Sequence, residues 1–415
     1  MFTQSSKHFL VATSLVTSLF VACLTGCGGS SNSSTSNNNS NSTVTGNDCY
    51  STNRLGITQL PDSSSSLYKT TFCKYLGLTA PNGKTIGFYA QQNISDEQLV
   101  RAQRILGFYL QGHDAVANRM ADNQANMMLL NGADGDIELA DNLQGQPLYE
   151  KEMITEGSVG YLSTDLATYR DASFEEILHL MHDYGIGTES QPGADMDYSR
   201  QIKHARQQAM TQNIWPSSGV DQGTRDWIKE LKNEGSLSQE YLASVLDSYY
   251  GLWQTFSQPG GMWGIYSAKS RADIQSLDPL GFAAMEAFFQ PNLTYMARID
   301  AEFSGTFSLQ LDNNQGYTYK SQYLTHARLT GAQNSNLLGN DLNNHLAGNS
   351  GSNILDGAAG EDTLLLQGHF SEYSLERNGD SILIQDSMND RDGSITIQNI
   401  EKIQFKDRNM NTSAL

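Results

Sequence analysis

The densest group of reactive side chains lies between Ser173 and Asp183, in a stretch that predicts one helix. Its apolar residues recur at helical spacing and predict a buried stripe of Phe174, Ile177, Leu178 and Met181. On the opposite face, predicted to be exposed, lie Glu175, His179 and His182, with Glu176 beside them. Two carboxylates and two imidazoles within two helical turns suit metal binding or proton transfer.

Residues 175–179, Glu-Glu-Ile-Leu-His, resemble the zinc-protease motif His-Glu-x-x-His with Glu in the place of the first His. In that motif the outer residues bind zinc and the inner Glu is the general base. The resemblance therefore implies that Glu175 and His179 are zinc ligands and that Glu176 is the catalytic base.

A third ligand is implied by a polar helix face near residue 240. Glu240, followed by Tyr and Ala, resembles the downstream glutamate of the gluzincin clan, notably of the group that contains anthrax lethal factor. That resemblance implies Glu240 as the third zinc ligand, with His182 and Asp247 as alternates. It also implies that the segment from Tyr149 to Leu162 is the extended edge strand that binds a peptide substrate.

Structural explanations compete with each of these assignments. Ser173 and Glu176 form a potential capping box, and Glu175 with His179 is an i,i+4 pair that stabilises an exposed helix. Glu240 falls in a first helical turn, where an acidic residue favours the helix dipole. Two carboxylate ligands would also cancel the charge of Zn²⁺, which predicts reduced activity or none.

The elements around the motif predict an α+β class, with a mainly helical, zincin-like domain over residues 48–305. A helix is predicted from Ser95 towards Asn123, and a short strand is predicted at residues 127–130. Further helices are predicted over residues 199–210, 237–253 and 279–289. Residues 306–335 turn strand-like and connect this domain to a region of different composition.

Three nonapeptides within residues 336–368 begin at Gly339, Gly348 and Gly357. They resemble the calcium-binding repeat of haemolysin-type (RTX) proteins, and the resemblance implies a parallel β-roll that residues 369–415 cap with a β-sheet. The sixth position of each repeat supplies an oxygen for Ca²⁺: the candidates are Asn344, Asn353 and Asp362. Because Asn replaces Asp in two repeats, we expect at most one or two weak sites, and vacant turns are the alternative.

Residues 1–26 predict a signal peptide that ends before Cys27, in a sequence resembling the lipobox of bacterial lipoproteins. That resemblance implies a lipid on Cys27 and a membrane anchor, followed by a flexible tether of Ser, Asn, Gly and Thr over residues 27–47. Gly28 favours the outer membrane or the cell surface as the destination. Cys49 and Cys73 remain as an even pair, and we expect them to form a disulfide.

The chain has 415 residues and a formal net charge of −19. That acidity argues against nucleic acid as a partner. The sequence therefore predicts a lipid-anchored, extracytoplasmic metallopeptidase-like protein with zinc, weakly bound calcium, and a peptide or protein substrate. The alternative is a non-catalytic surface protein that binds calcium and uses a degenerate protease scaffold for binding or adhesion.

Overall fold

The computed structural model describes residues 55–134, 143–189 and 191–415. The predicted signal peptide, the tether, Cys27 and Cys49 lie outside the described residues. Cys73 is buried and disulfide-bonded. Within the described residues, no helix is both long enough and apolar enough to cross a bilayer.

The first part of the described chain, up to Phe288, is dominated by helices. Its helices are α1 Ser66–Thr71, α2 Asp96–Tyr109, α3 Asp114–Asp122, α4 Val159–Leu162, α5 Ser173–Met181, α6 Met196–Thr211, α7 Gln222–Glu234, α8 Leu237–Tyr249, α9 Arg271–Leu277 and α10 Pro279–Phe288. Its strands are β1 Lys74–Thr79, β2 Thr85–Ala90, β3 Asn126–Leu130 and β4 Gln146–Tyr149. A π-helical turn, His182–Ile186, follows α5 directly.

The four strands form one sheet in the order β1-β2-β3-β4. β1 and β2 are antiparallel, whereas β2, β3 and β4 are parallel to one another. In the described part of the chain β4 is the outermost strand on its side. Helix α5 packs against β4, α2 and α8, so the motif helix lies between the sheet and the other helices.

Two predictions about local structure in this part are wrong. The single helix predicted from Ser95 towards Asn123 is two helices, because the chain turns at Gly112, whose φ is +80°. Residues 149–162 are not an extended strand: β4 ends at Tyr149, and a short turn leads to α4. Ser158 caps α4 by accepting a hydrogen bond from the Tyr161 backbone N–H, which favours a helical turn at that point.

The second part of the described chain is dominated by strands. They are β5 Leu293–Ile299, β6 Gly305–Ser308, β7 Leu324–Leu329, β8 Ser335–Leu338, β9 His345–Ala347, β10 Ser352–Asp356, β11 Thr363–Leu365, β12 Tyr373–Asn378, β13 Ser381–Asp386, β14 Ser394–Gln398, β15 Lys402–Gln404 and β16 Asn409–Asn411. A one-turn helix, α11 Thr318–Ser321, interrupts the segment that was predicted to be strand-like over residues 306–335. The segregation of helices and strands along the chain confirms the α+β class.

These strands form two six-stranded sheets, ordered β12-β13-β14-β10-β8-β6 and β16-β15-β11-β9-β7-β5. From β5 to β11 successive strands alternate between the two sheets and pair in parallel. Each of the three nonapeptides buries one leucine at the predicted period: Leu346, Leu355 and Leu364. Leu337, nine residues before Leu346, is buried as well. Strands β12, β13 and β16 then add antiparallel pairs to the two sheets.

The apolar core is continuous from Ile57 to Phe405. Strand β5 precedes the predicted boundary at residue 305, yet it pairs with β7 in the second part. Helix α2 packs against β5, where Arg298 forms an ion pair with Glu97 and Arg104 donates to the Met296 carbonyl. The helical part and the strand-rich part therefore share one interior.

Candidate metal centre

Helix α5 is buried over its whole length. The predicted apolar stripe of Phe174, Ile177, Leu178 and Met181 is confirmed as core. The prediction that the opposite face is exposed is wrong, because α8 and β4 cover it. Glu175, Glu176 and His179 are each exposed by less than a tenth, although side chains of these types are buried in proteins chiefly where they have partners.

Three of these buried side chains come together from two helices. Glu175 and His179 lie one turn apart on α5, and Glu240 lies in the first turn of α8. One potential ligand atom from each lies within 4.8 Å of the other two. Gly235, with a φ of +85°, ends α7 and lets α8 begin at Leu237, which brings Glu240 to the motif helix.

The donor set fits a divalent metal. His179 Nε2 lies 3.7 Å from Glu240 Oε1, and no described residue gives this nitrogen a hydrogen bond, although it is buried. A buried nitrogen without a partner is costly for a fold unless a ligand completes it. One imidazole and two carboxylates are ligands that zinc accepts, and the second carboxylate widens the set towards harder metals.

Glu176 lies beside the three candidate ligands and is not a helix cap. Its Oε2 accepts a hydrogen bond of 2.7 Å from Gln146 Nε2 of strand β4 and lies 3.5 Å from His179 Nδ1. The predicted capping box is absent, because Ser173 is already helical and the preceding Ala172 is the cap residue. The structural explanation of Glu176 as a capping residue is therefore wrong.

Arg170, in the loop before α5, forms an ion pair with Glu175. Its guanidinium also lies 3.7 Å from Glu152 and stacks 4.7 Å from the ring centre of Trp263. The alternative explanation, an i,i+4 pair of Glu175 and His179 on an exposed helix, is wrong. Helix α5 is buried, and Glu175 forms its ion pair with Arg170. Arg170 and Gln146 have no spacing relation to the motif, so sequence reasoning missed both.

Burial and neighbouring charges shift the pKa values of the site in opposite directions. Burial opposes the charged form of His179, but the carboxylates of Glu240 and Glu176 outweigh it and raise the His179 pKa. Burial raises the pKa of Glu240, and it also raises the pKa of Glu152 to about 7. Without a metal, the cluster therefore holds a proton that a bound cation would displace.

The two alternate ligands lie outside the three-residue cluster. His182 is buried in the π-helical turn, neither ring nitrogen has a hydrogen-bond partner among the described residues, and burial lowers its pKa to about 3. Asp247 accepts a hydrogen bond of 2.8 Å from Trp253 Nε1. Burial, and then the charge of Glu175, raise the Asp247 pKa well above its usual value.

The side chains at the sixth positions of the first two repeats fold back into their own turns. Asn344 Oδ1 accepts from the Asn340 backbone N–H, and Asn344 Nδ2 donates to Asn340 Oδ1. Asn353 makes the same pair of bonds with Asn349 and also donates to the Ser335 carbonyl.

Asp362 differs from the two asparagines. Its Oδ1 accepts from the Asn344 backbone N–H at 2.6 Å. Its Oδ2 is buried and has no hydrogen-bond partner among the described residues, and burial raises the Asp362 pKa to about 6.

The sequence matches no known protein-family model, and it matches none of the curated proteins. The function of the protein is therefore inferred from the geometry of the site.

Proposed function

We propose that this protein is a lipid-anchored, extracytoplasmic metallopeptidase with a zincin-like domain. The observation that supports the proposal is the meeting of Glu175, His179 and Glu240 in a buried cluster, with Glu176 next to them. Among the described residues, none forms a hydrogen bond with His179 Nε2. In this proposal Glu175, His179 and Glu240 are the metal ligands, and Glu176 is the general base. The reaction is hydrolysis of a peptide bond.

Glu175, His179 and Glu240 would hold a divalent metal, with zinc the first candidate. A metal bound there supplies Lewis-acid chemistry that polarises a carbonyl group and acidifies water. Glu176 acts as the general base, and the hydrogen bond from Gln146 orients its carboxylate. Without a metal, the pKa of Glu176 is lowered: burial opposes this, but His179, Arg170 and Gln146 outweigh burial and favour the ionised carboxylate, the form that a general base needs.

Strand β4 would position the substrate. It is the outermost described strand of its sheet, and α5 packs against it. An extended peptide can add to such an edge through backbone hydrogen bonds. Because β4 also carries Gln146, a peptide paired there would lie close to Glu176.

For residues 336–415, we infer a haemolysin-type β-roll and its cap. The alternation of parallel strands between two sheets, and the buried leucines nine residues apart, support this inference. Asp362 is the strongest calcium candidate of the three, because one of its carboxylate oxygens has no hydrogen-bond partner in the described part of the chain. We expect millimolar Ca²⁺ to raise the melting temperature, and Asp362→Asn to abolish that rise.

The test of the metallopeptidase is metal analysis combined with proteolysis by the purified chain. We expect about one zinc per chain in the wild type, loss of zinc in Glu240→Ala, and retained zinc without proteolysis in Glu176→Gln. Glu286→Gln, an exposed glutamate of α10, is the matched control and should change neither property. Zinc binding with proteolysis unaffected by Glu176→Gln would contradict the catalytic assignment.

The alternative function makes different predictions for the same variants. A non-catalytic surface protein would show no hydrolysis in the wild type, with or without zinc. Its stability would still respond to Ca²⁺ through residues 336–368.

A further inference from the structure

The proposed ligand set carries one more negative charge than a set of two histidines and one glutamate. Glu175 and Glu240 are both carboxylates, and His179 binds a metal as a neutral imidazole. Two carboxylates neutralise Zn²⁺, whereas a site with two histidines and one glutamate leaves one positive charge. That residual charge strengthens the metal as a Lewis acid, because developing negative charge is then stabilised more strongly.

Arg170 lies where its positive charge can offset the additional negative charge of the ligand set. Its guanidinium contacts the carboxylate of Glu175, the residue that replaces the first histidine of the motif. Arg170 is itself largely buried, so water screens its charge weakly. An arginine keeps its proton at any pH at which a peptidase works.

The position of Arg170 is fixed from two further sides. The guanidinium carbon lies over the indole ring of Trp263, and the carboxylate of Glu152 lies 3.7 Å from the guanidinium. These contacts come from a loop and a turn outside α5, so they hold the guanidinium in place independently of the motif helix. The guanidinium therefore has a fixed position beside the proposed metal ligands.

We propose that Arg170 compensates the charge of Glu175, so that the two-carboxylate site works with the net charge of a site built from two histidines and one glutamate. This inference rests on the proposed metallopeptidase function. Arg170 acts through Glu175 and is a positioning and charge-tuning residue, not a catalytic one.

The other ionisable groups around the site come from four elements of the structure. They are Glu152 from the turn after β4, Glu176 and His179 from α5, Asp247 from α8, and Asp171 from the loop before α5. Asp171 is paired with Arg101, and burial, followed by the charge of Glu175, raises the pKa of Asp247. Glu175 is the carboxylate in direct contact with Arg170 that also has an atom in the ligand cluster.

The test is a charge-balanced pair of substitutions. Arg170→Gln removes the compensating charge, and Glu175→His removes the carboxylate that needs it. We expect the acid limb of the pH–activity profile to move up by about one pH unit in Arg170→Gln, the size expected for a unit charge at roughly 10 Å with an effective dielectric of about 20. Glu175→His should move it down, and the double variant should return it close to the wild-type position.

A second readout does not depend on activity. In Arg170→Gln the incoming Zn²⁺ no longer meets a fixed cation, and the metal-free cluster loses the partner of a buried carboxylate. We therefore expect zinc to bind up to about tenfold more tightly, and the gap in melting temperature between zinc-loaded and chelated protein to widen. Arg170→Lys keeps the charge and should stay close to the wild type in both measurements.

The outcomes separate this inference from the function on which it rests. If Arg170 only clamps Glu175, Arg170→Gln should weaken zinc binding by about 10–100-fold, as the loss of an outer partner of a metal ligand does. That result, or single variants that shift the profile in the same direction, would overturn charge compensation while leaving the metallopeptidase intact. If the wild type binds no zinc and cleaves no peptide, the proposed function itself fails.

Discussion

At the scale of single residues, the start of the motif helix depends on a buried ion-pair network. Arg101 Nε lies 2.7 Å from Glu156, and its Nη2 lies 2.7 Å from Asp171. Asp171 also accepts a hydrogen bond from the Ser173 backbone N–H at the first position of α5, and Tyr295 donates its hydroxyl to Glu156. The network therefore links the N-terminus of α5 to both α2 and β5.

Replacing Arg101 by Leu should lower the free energy of unfolding by about 3–5 kcal/mol, because it leaves two buried carboxylates without their cation. Urea denaturation followed by circular dichroism measures this change. Arg200→Leu is the matched control, since Arg200 is two-thirds exposed at 67%, and it should cost less than about 0.5 kcal/mol. Equal effects of the two substitutions would mean that the network does not stabilise the fold.

At the scale of elements, the turns of the repeats are closed by asparagine amides. In the turns that begin at Gly339 and Gly348, the side chain of the sixth residue and that of the second residue bond to each other. Glycine is required at the first position of each of these turns, because a Cβ there would clash with the side-chain oxygen of the sixth residue. The distance would be 2.3 Å at Gly339 and 2.5 Å at Gly348. The amide N–H groups thus supply positive hydrogen atoms in the interior of the turn.

Asn353→Ala should destabilise the protein by about 1–3 kcal/mol, because it leaves the Asn349 backbone N–H and the Ser335 carbonyl without this partner. Added Ca²⁺ should not restore the loss. Asn409→Ala, at an exposed position, is the control and should be nearly silent in the same denaturation experiment. In contrast, Asn353→Asp should make the melting temperature newly dependent on Ca²⁺, since a carboxylate replaces the amide donor.

Strands β7 and β9 place two histidines side by side and make stability depend on pH. His326 and His345 are register partners with ring centres 4.3 Å apart. Burial, and then the neighbouring His345, lower the pKa of His326 to about 4 from its usual 6.5. Three cations lie in the same row of this sheet or in the next row on the same face, and each has a carboxylate partner: Arg298 with Glu97, Arg328 with Asp392, and Lys402 with Glu361.

Because the folded state disfavours protonated His326, the unfolded state binds more protons between about pH 6.5 and 4. The contribution of His326 is complete above pH 6.5 and is lost as the pH falls towards 4. We expect His326→Asn to lose less stability over this window than the wild type, as measured by urea denaturation at a series of pH values. His369→Asn, an exposed histidine, should follow the wild-type curve.

At the scale of the whole molecule, the helical part and the strand-rich part share one continuous apolar core. The proposed anchor lies at the other end of a Ser- and Asn-rich segment, residues 27–47. In the proposed function, this segment would join the folded part to a lipid on Cys27.

Cys27→Ser should move the protein from the membrane fraction to the soluble fraction of the expressing cells, because it removes the proposed site of lipid attachment. Immunoblotting of the separated fractions measures the change. Cys23→Ala, within the predicted signal peptide, is the control for replacing a cysteine and should leave the protein in the membrane fraction. Membrane retention of Cys27→Ser would rule out Cys27 as the anchor.

The sequence by itself determined the features that depend on local periodicity. The helical spacing of Phe174, Ile177, Leu178 and Met181 predicted their burial, and the nonapeptide period predicted the buried leucines of the strands. For residues 149–162 the prediction of a strand was wrong, although a local signal, the cap at Ser158, favours a helical turn there.

Only the tertiary structure decided what surrounds the polar face of α5. Amphipathicity predicts water on that face, but the packing of α8 and β4 replaces water with Glu240 and Gln146. The contact between Arg170 and Glu175 likewise depends on the path of a loop, which no periodic pattern encodes. Side chains that are distant in sequence or lie in loops meet because the interior must be filled and its charges paired, and that requirement acts on the whole chain.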